Sequence, residues 1–91
     1  MSPLERYLRH LTVERGLSKN TLAAYRADLA KYADFLEAAG AEPITASHLD
    51  LAEFSNRLTE SGFRASSRAR ILADVRGFHK FLALEGLRLD G

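Results

Sequence analysis

Apolar residues recur three and four positions apart along most of this chain, and no stretch keeps the strict alternation that marks a β-strand. The clearest run consists of Leu22, Tyr25, Leu29, Tyr32 and Leu36. This spacing aligns side chains on one face of an α-helix. The pattern therefore predicts an all-α fold, a small orthogonal bundle of four main helices.

The three other predicted helices carry apolar faces of the same kind. Their members are Leu4, Tyr7, Leu8 and Leu11 in the first, Leu51, Phe54 and Leu58 in the third, and Ile71, Val75, Phe78 and Leu82 in the fourth. A single core needs every helix to bury such a face. We expect the four faces to meet.

Cap residues and glycines set the predicted helix ends. Ser and Thr accept hydrogen bonds from free N–H groups at a helix start, and glycine readily ends a helix. The cap candidates are Ser2, Ser18, Thr45 or Ser47, and Ser66 or Ser67, and the closing glycines are Gly16, Gly40, Gly62 and Gly86. The helices are thereby predicted over about residues 3–15, 18–39, 46–61 and 66–85.

Length and composition favour one compact domain. The chain has 91 residues, of which 46% are hydrophobic and 27% charged, and it contains no cysteine. No apolar run approaches the roughly 20 residues that cross a bilayer, and the N-terminus does not resemble a signal peptide. We expect no membrane association and a cytoplasmic location, with the domain over residues 1–86 and residues 87–91 starting a linker.

The net charge is only +1, but the charges are unevenly distributed. Residues 28–60 include seven acids and two bases, whereas residues 63–80 include five bases and a single acid, Asp74. The five bases are Arg64, Arg68, Arg70, Arg76 and Lys80. Charge alone is compatible with a solvated helix face or with a patch that binds an acidic partner such as nucleic acid.

Opposite its apolar face, the fourth predicted helix carries a stripe of mostly small residues. The stripe consists of Ser66, Ala69, Ala73, Gly77 and Lys80. Arg70 and Arg76 flank it, an arrangement that suits the major groove of DNA, where Arg and Lys reach phosphates or guanine. The alternative is close packing against another helix, or merely surface residues that favour helix formation. Because a mid-helix glycine costs about 0.5–1 kcal/mol, we expect Gly77 to have a packing or functional reason.

Two segments resemble a known protein family. Residues 16–29 read GLSKNTLAAYRADL, and residues 67–82 read SRARILADVRGFHKFL. In this order they are similar to the second-helix and fourth-helix patterns of the N-terminal core-binding (SAM-like) domain of tyrosine recombinases, of phage-integrase and Xer type. The region from the start of the first segment to the end of the second, residues 16–82, covers most of residues 4–86.

The resemblance implies a DNA-binding module of a site-specific recombinase that exchanges DNA strands, with chromosome dimer resolution as one candidate role. In that family this domain and a C-terminal catalytic domain, absent here, clamp double-stranded DNA, and the second and fourth helices face the duplex. The implied partners are double-stranded DNA and, at full length, other recombinase protomers. The matching DNA-binding positions are Ser18, Lys19, Asn20, Thr21, Arg26, Ser67, Arg70, Arg76 and Lys80.

No catalytic, metal or cofactor site is predicted, and no small-molecule substrate. Tyr25 and Tyr32 lie on an apolar face, as core aromatics do. His10, His48 and His79 lack the one-turn spacing of helical metal ligands, and no glycine-rich phosphate loop is present. Since the resemblance puts the strand-cutting tyrosine in the C-terminal domain, this chain is predicted to be catalytically inert.

Two functional hypotheses remain. The first is the DNA-clamping module, and the alternative is a small helical protein–protein interaction module whose basic face meets an acidic partner. Neutralising phosphates releases counterions, so DNA binding falls steeply with salt. Salt-sensitive binding of generic duplex DNA therefore distinguishes the two.

Overall fold

The computed structural model describes residues 1–88, and these residues form four α-helices without a β-strand. The helices are α1 (Pro3–Val13), α2 (Lys19–Ala38), α3 (His48–Glu60) and α4 (Ala65–Leu84). Their order and approximate bounds agree with the sequence prediction. The predicted all-α bundle is confirmed.

All four helices contribute to one core. Tyr32 of α2 is fully buried and its ring lies 5.1 Å from that of Phe54 in α3. Tyr7 of α1 packs between Phe78 and Phe81 of α4, at ring distances of 5.4 and 5.1 Å. The apolar faces predicted from the spacing therefore meet, and α4 contacts each of the other three helices.

Three of the predicted caps form. The side chains of Ser2, Ser18 and Ser47 each accept a hydrogen bond from a backbone N–H in the first turn of α1, α2 and α3. Ser47 also forms a reciprocal capping box with Asp50. The four closing glycines all have positive φ, as in Gly62 at 87°, a conformation that other residues adopt at a cost.

The predicted cap of α4 is wrong. The helix begins at Ala65 with Arg64 in the cap position and no side-chain cap bond, so Ser66 and Ser67 lie inside its first turn. The preceding turn is fixed by other bonds, since the N–H of Phe63 donates to the carbonyl of Leu58 and Nη1 of Arg68 donates to the carbonyl of Phe63 at 2.6 Å. These contacts outweigh the preference of serine for the cap.

Residues 87 and 88 pack onto the domain. Leu87 contacts the core, and buried Arg88 donates through Nη1 to the carbonyl of Pro43 and through Nη2 to that of Ala46 at 2.8 Å. The rest of the expected linker, residues 89–91, lies outside the described residues. Where a linker starts therefore stays a prediction.

Candidate nucleic-acid interface

The side of α4 that faces away from the core is open to solvent along most of its length. Ala69, Ala73 and Lys80 are exposed, as the spacing predicts. On one flank Arg70 reaches α2, and on the other Arg76 lines a groove against α3. The predicted stripe of small residues therefore forms a surface between two helices.

Gly77 departs from this prediction. It is half-buried, and a β-carbon built on it would lie 2.9 Å from the phenolic oxygen of Tyr7 in α1. A contact that short requires a neighbour to shift. Gly77 therefore belongs to the packing of α1 on α4, and the helix-packing interpretation holds at this one position of the stripe.

Arg70 is held by a fork-shaped ion pair with Asp28 of α2. Its Nε donates to Oδ2 and its Nη2 donates to Oδ1, both at 3.1 Å. The Asp28 side chain is only 4% exposed, whereas that of Arg70 is 56% exposed. Such two-point pairing fixes the plane of the guanidinium. The arginine therefore stands at the surface in a defined orientation.

A second carboxyl, Asp74, adjoins this pair one turn along α4 from Arg70. Burial, followed by the hydrogen bond to Asp28 and the negative charge of Asp28, raises the pKa of Asp74 to about 7. Burial opposes ionisation of Asp28 as well, but its hydrogen bonds to Asp74 and Arg70 lower the pKa of Asp28 overall. The cluster thus tends to keep one proton between two carboxyls, with the charge on Asp28.

The start of α2 carries four of the predicted DNA-binding residues. Ser18 is the cap residue, and its Oγ both accepts from the N–H of Thr21 at 3.2 Å and lies 3.0 Å from Thr21 Oγ1. Lys19 and Asn20 follow in the first turn, and all four residues are exposed. The structure therefore brings these four together at one helix end.

Arg26 lies apart from the groups described so far, whereas Ser67 lies one turn before Arg70 on α4. Arg26 Nη1 donates to the carboxylate of Glu5 in α1 at 2.8 Å, on the side of α2 opposite Asp28. Ser67 is half-buried in the first turn of α4. Arg26 thus has a structural partner that the sequence pattern did not indicate.

Arg76 and Lys80 border a groove of about 740 Å³ between α3 and α4. His79 also lines it and forms a 2.7 Å hydrogen bond between its Nε2 and the hydroxyl of Tyr32. Burial raises the pKa of Tyr32 to about 12, so the phenol stays protonated. The bond ties His79 and Tyr32 to the helix packing, as expected for a core aromatic.

The four helix starts differ in charge. Glu5 lies in the first turn of α1 and Asp50 in that of α3, whereas the first turns of α2 and α4 contain no acid. A helix start carries a partial positive charge and favours anions. With Lys19 beside one start and Arg64 and Arg68 beside the other, α2 and α4 present the two starts suited to phosphate.

Sequence reasoning missed the role of Asp28. The signal was available, because this acid lies three residues after Tyr25 and four before Tyr32, at the edge of an apolar face. A carboxylate at such a position needs a partner. Only the packing of α4 on α2 identifies that partner as Arg70.

Within residues 1–88, no group of three or more His, Cys, Asp or Glu side chains is placed to hold a metal ion. None of the helices described is long and apolar enough to cross a membrane.

Comparison with known proteins gives one family. Residues 4–86 match the family described as phage integrase, N-terminal SAM-like domain. No solved structure matches the chain. The match includes both segments whose resemblance the sequence analysis described.

Curated relatives carry the name tyrosine recombinase XerD. The protein of Chlorobaculum tepidum is 44% identical over 92% of this chain, that of Rhizobium meliloti 42% over 96%, and that of Agrobacterium fabrum 41% over 96%. The matched part is 28%, 28% and 26% of these proteins, respectively. The chain thus spans little more than a quarter of their length.

Proposed function

Because the chain belongs to the family of phage integrase N-terminal SAM-like domains, we propose that it is the DNA-binding module of a XerD-like tyrosine recombinase. In this proposal α2 and α4 contact the duplex, and the full-length parent cuts and rejoins DNA strands, with chromosome dimer resolution as its role. The cutting chemistry resides in the part of the parent beyond this chain. The chain itself supplies binding and orientation.

The exposed side of α4 is the observation that carries the proposal. Ala69 and Ala73 have short side chains at the centre of this side, so the helix backbone can approach a duplex closely. Arg70 stands on one flank, and Arg76 and Lys80 stand towards the other. On such a flat surface, the basic groups on both sides can contact phosphates at the edges of a groove, and the helix between them can contact bases within it.

The helix starts provide a second line of support. The acid-free first turns of α2 and α4 offer N–H groups and partial positive charge where phosphates would lie. Lys19, Asn20 and Thr21 at the start of α2 are exposed and of types that bind DNA backbone. The acidic first turns of α1 and α3 make those ends poor sites for phosphate.

Titration of a fluorescent duplex of about 20 base pairs with the 91-residue chain, followed by anisotropy at several salt concentrations, tests the proposal. We expect weak binding with little sequence preference, with a Kd of about 10⁻⁴ to 10⁻⁶ M that rises steeply with salt. Absence of binding even at low salt would contradict the proposal. The alternative, an interaction module for an acidic protein, would then be favoured.

A further inference from the structure

The guanidinium of Arg70 has an occupied edge and an open edge. Nε and one hydrogen of Nη2 face Asp28. No atom of residues 1–88 accepts a hydrogen bond from Nη1, and more than half of the side chain is exposed. The edge formed by Nη1 and the second hydrogen of Nη2 is therefore directed away from Asp28, with the two donors side by side.

Asp28 is a rigid support for this arrangement. Its side chain is almost fully buried, and both of its carboxylate oxygens accept hydrogen bonds from Arg70. A surface arginine normally loses rotamer freedom when it binds a partner. An arginine already fixed by two bonds to a buried carboxylate loses less.

We propose that Asp28 is a positioning residue for DNA binding, which holds Arg70 so that its open edge meets a pair of acceptor atoms on the duplex. The inference rests on the proposed function. The acceptors have the geometry that suits a guanidinium edge, found in two phosphate oxygens or in O6 and N7 of guanine. Arg70 makes the contact, and Asp28 acts through Arg70 without touching DNA.

Electrostatics and positioning predict opposite effects of removing Asp28. The carboxylate lies next to the proposed interface. Above about pH 8, where Asp74 is ionised in wild type and variant alike, Asp28→Asn therefore removes a negative charge that repels phosphate. On charge alone this variant would bind DNA more tightly. If the ordered fork is what matters, the same variant binds less tightly, because Arg70 becomes mobile. The sign of the change decides between them.

The experiment measures duplex affinity, corrected for the folded fraction by circular dichroism, for Asp28→Asn, Arg70→Ala and the double variant. We expect each single variant to weaken binding about tenfold. The double variant should bind no more weakly than Arg70→Ala, because Asp28 acts only through Arg70. Asp34→Asn, which removes an exposed acid further along α2, is the matched control and should keep or slightly raise affinity.

Arg70→Lys keeps the test decisive if Asp28→Asn fails to fold. Lysine retains the charge but cannot engage two carboxylate oxygens while presenting a second paired edge. We expect it to lose nearly as much affinity as Arg70→Ala. Repeating the series on a duplex without guanine separates the two acceptors, since a loss that persists there indicates phosphate and a loss that disappears indicates guanine.

These measurements distinguish failure of the proposed function from failure of the positioning role of Asp28. If the wild-type chain binds no duplex, the proposed function and this inference fall together. If the wild type binds and Arg70→Lys matches it, or Asp28→Asn folds and binds more tightly, the positioning role is wrong and the proposed function stands.

Discussion

The phenolic oxygen of Tyr7 lies 2.9 Å from the position that a β-carbon on Gly77 would occupy. The Tyr7 ring is buried and is packed against Phe78 and Phe81, which limits how far the hydroxyl can move. Glycine at position 77 is thus the residue that lets α1 approach α4. The exposed stripe of α4 is interrupted there by helix packing.

Gly77→Ala should lower the melting temperature. Overpacking lowers the free energy of unfolding by about 1–3 kcal/mol, and the better helix propensity of alanine offsets about 1 kcal/mol of this loss. We expect a net loss of up to about 2 kcal/mol in the free energy of unfolding, measured by thermal and urea denaturation.

The double variant Gly77→Ala with Tyr7→Phe is the control. Phenylalanine lacks the oxygen that meets the added methyl group, so this variant should recover most of the lost stability relative to Tyr7→Phe alone. A Gly77→Ala variant that melts higher than wild type would contradict the packing interpretation.

Arg76→Ala and Lys80→Ala should weaken duplex binding while leaving the melting temperature nearly unchanged. Both side chains are exposed and lie off the buried face of α4. Removal of one phosphate-binding side chain should reduce the salt dependence of log K by about one. Arg9→Ala, an exposed base on α1, is the matched control and should leave the slope as it is. An unchanged slope with a large loss of stability would make Arg76 a structural residue.

Phe78→Ala should lower stability strongly, in contrast to Arg76→Ala and Lys80→Ala. The ring is 2% exposed and contacts Tyr7, so its removal leaves a cavity between α1 and α4. We expect a loss of about 3–5 kcal/mol, a large part of the stability of so small a domain. Chemical denaturation measures it. A variant that loses less than about 1 kcal/mol would mean that the core rearranges around the missing ring.

Stability should fall as pH rises from about 4 towards 7. The pKa of Asp74 is about 7 in the folded chain against an ordinary value of 3.8, so in this window the folded state holds a proton that the unfolded state has released. The stabilisation from this proton is complete below pH 3.8, the pKa of Asp74 in the unfolded chain. It is lost as the pH rises through about 7, the pKa in the folded chain. The pKa of Asp28 is lowered in the folded chain, so the ionised Asp28 stabilises the fold. This contribution is lost only as the pH falls below the ordinary pKa of 3.8.

Melting temperatures of wild type and Asp74→Asn at pH 5 and pH 8 check this expectation. Asparagine imitates the protonated acid, so the variant should show a smaller drop between the two pH values and should melt higher than wild type at pH 8. Asp34→Asn should keep the wild-type profile. Equal drops in wild type and Asp74→Asn would show that another group titrates.

The helices and their core could be predicted from the sequence because both depend on local information. Spacing identified the buried face of α4 through Ile71, Val75, Phe78 and Leu82, and closing glycines identified the helix ends. The cap of α4 could not be predicted, because contacts of Phe63 with Leu58 and Arg68 decide it.

The candidate surface was predictable only in part. Helical spacing correctly separated the exposed Ala73 and Lys80 from the core. It could not show that Gly77 packs on Tyr7, that Arg26 pairs with Glu5, or that Arg70 is held by Asp28. In each pair the two residues lie on different helices and are separated by 21 to 70 positions in the sequence, so only tertiary packing brings them together.

The packing of α1 on α4 joins the two ends of the described chain, and it governs how the domain can fold. The ion pair of Arg6 with Glu85 spans 79 residues, and Tyr7 covers Phe78 from a similar distance in sequence. Closing so long a loop carries the largest chain-entropy cost in the domain, and no part of it is recovered until both helices exist. A chain without α1 would expose Phe78 and Phe81, so we expect the four helices to appear and disappear together, in one all-or-none transition.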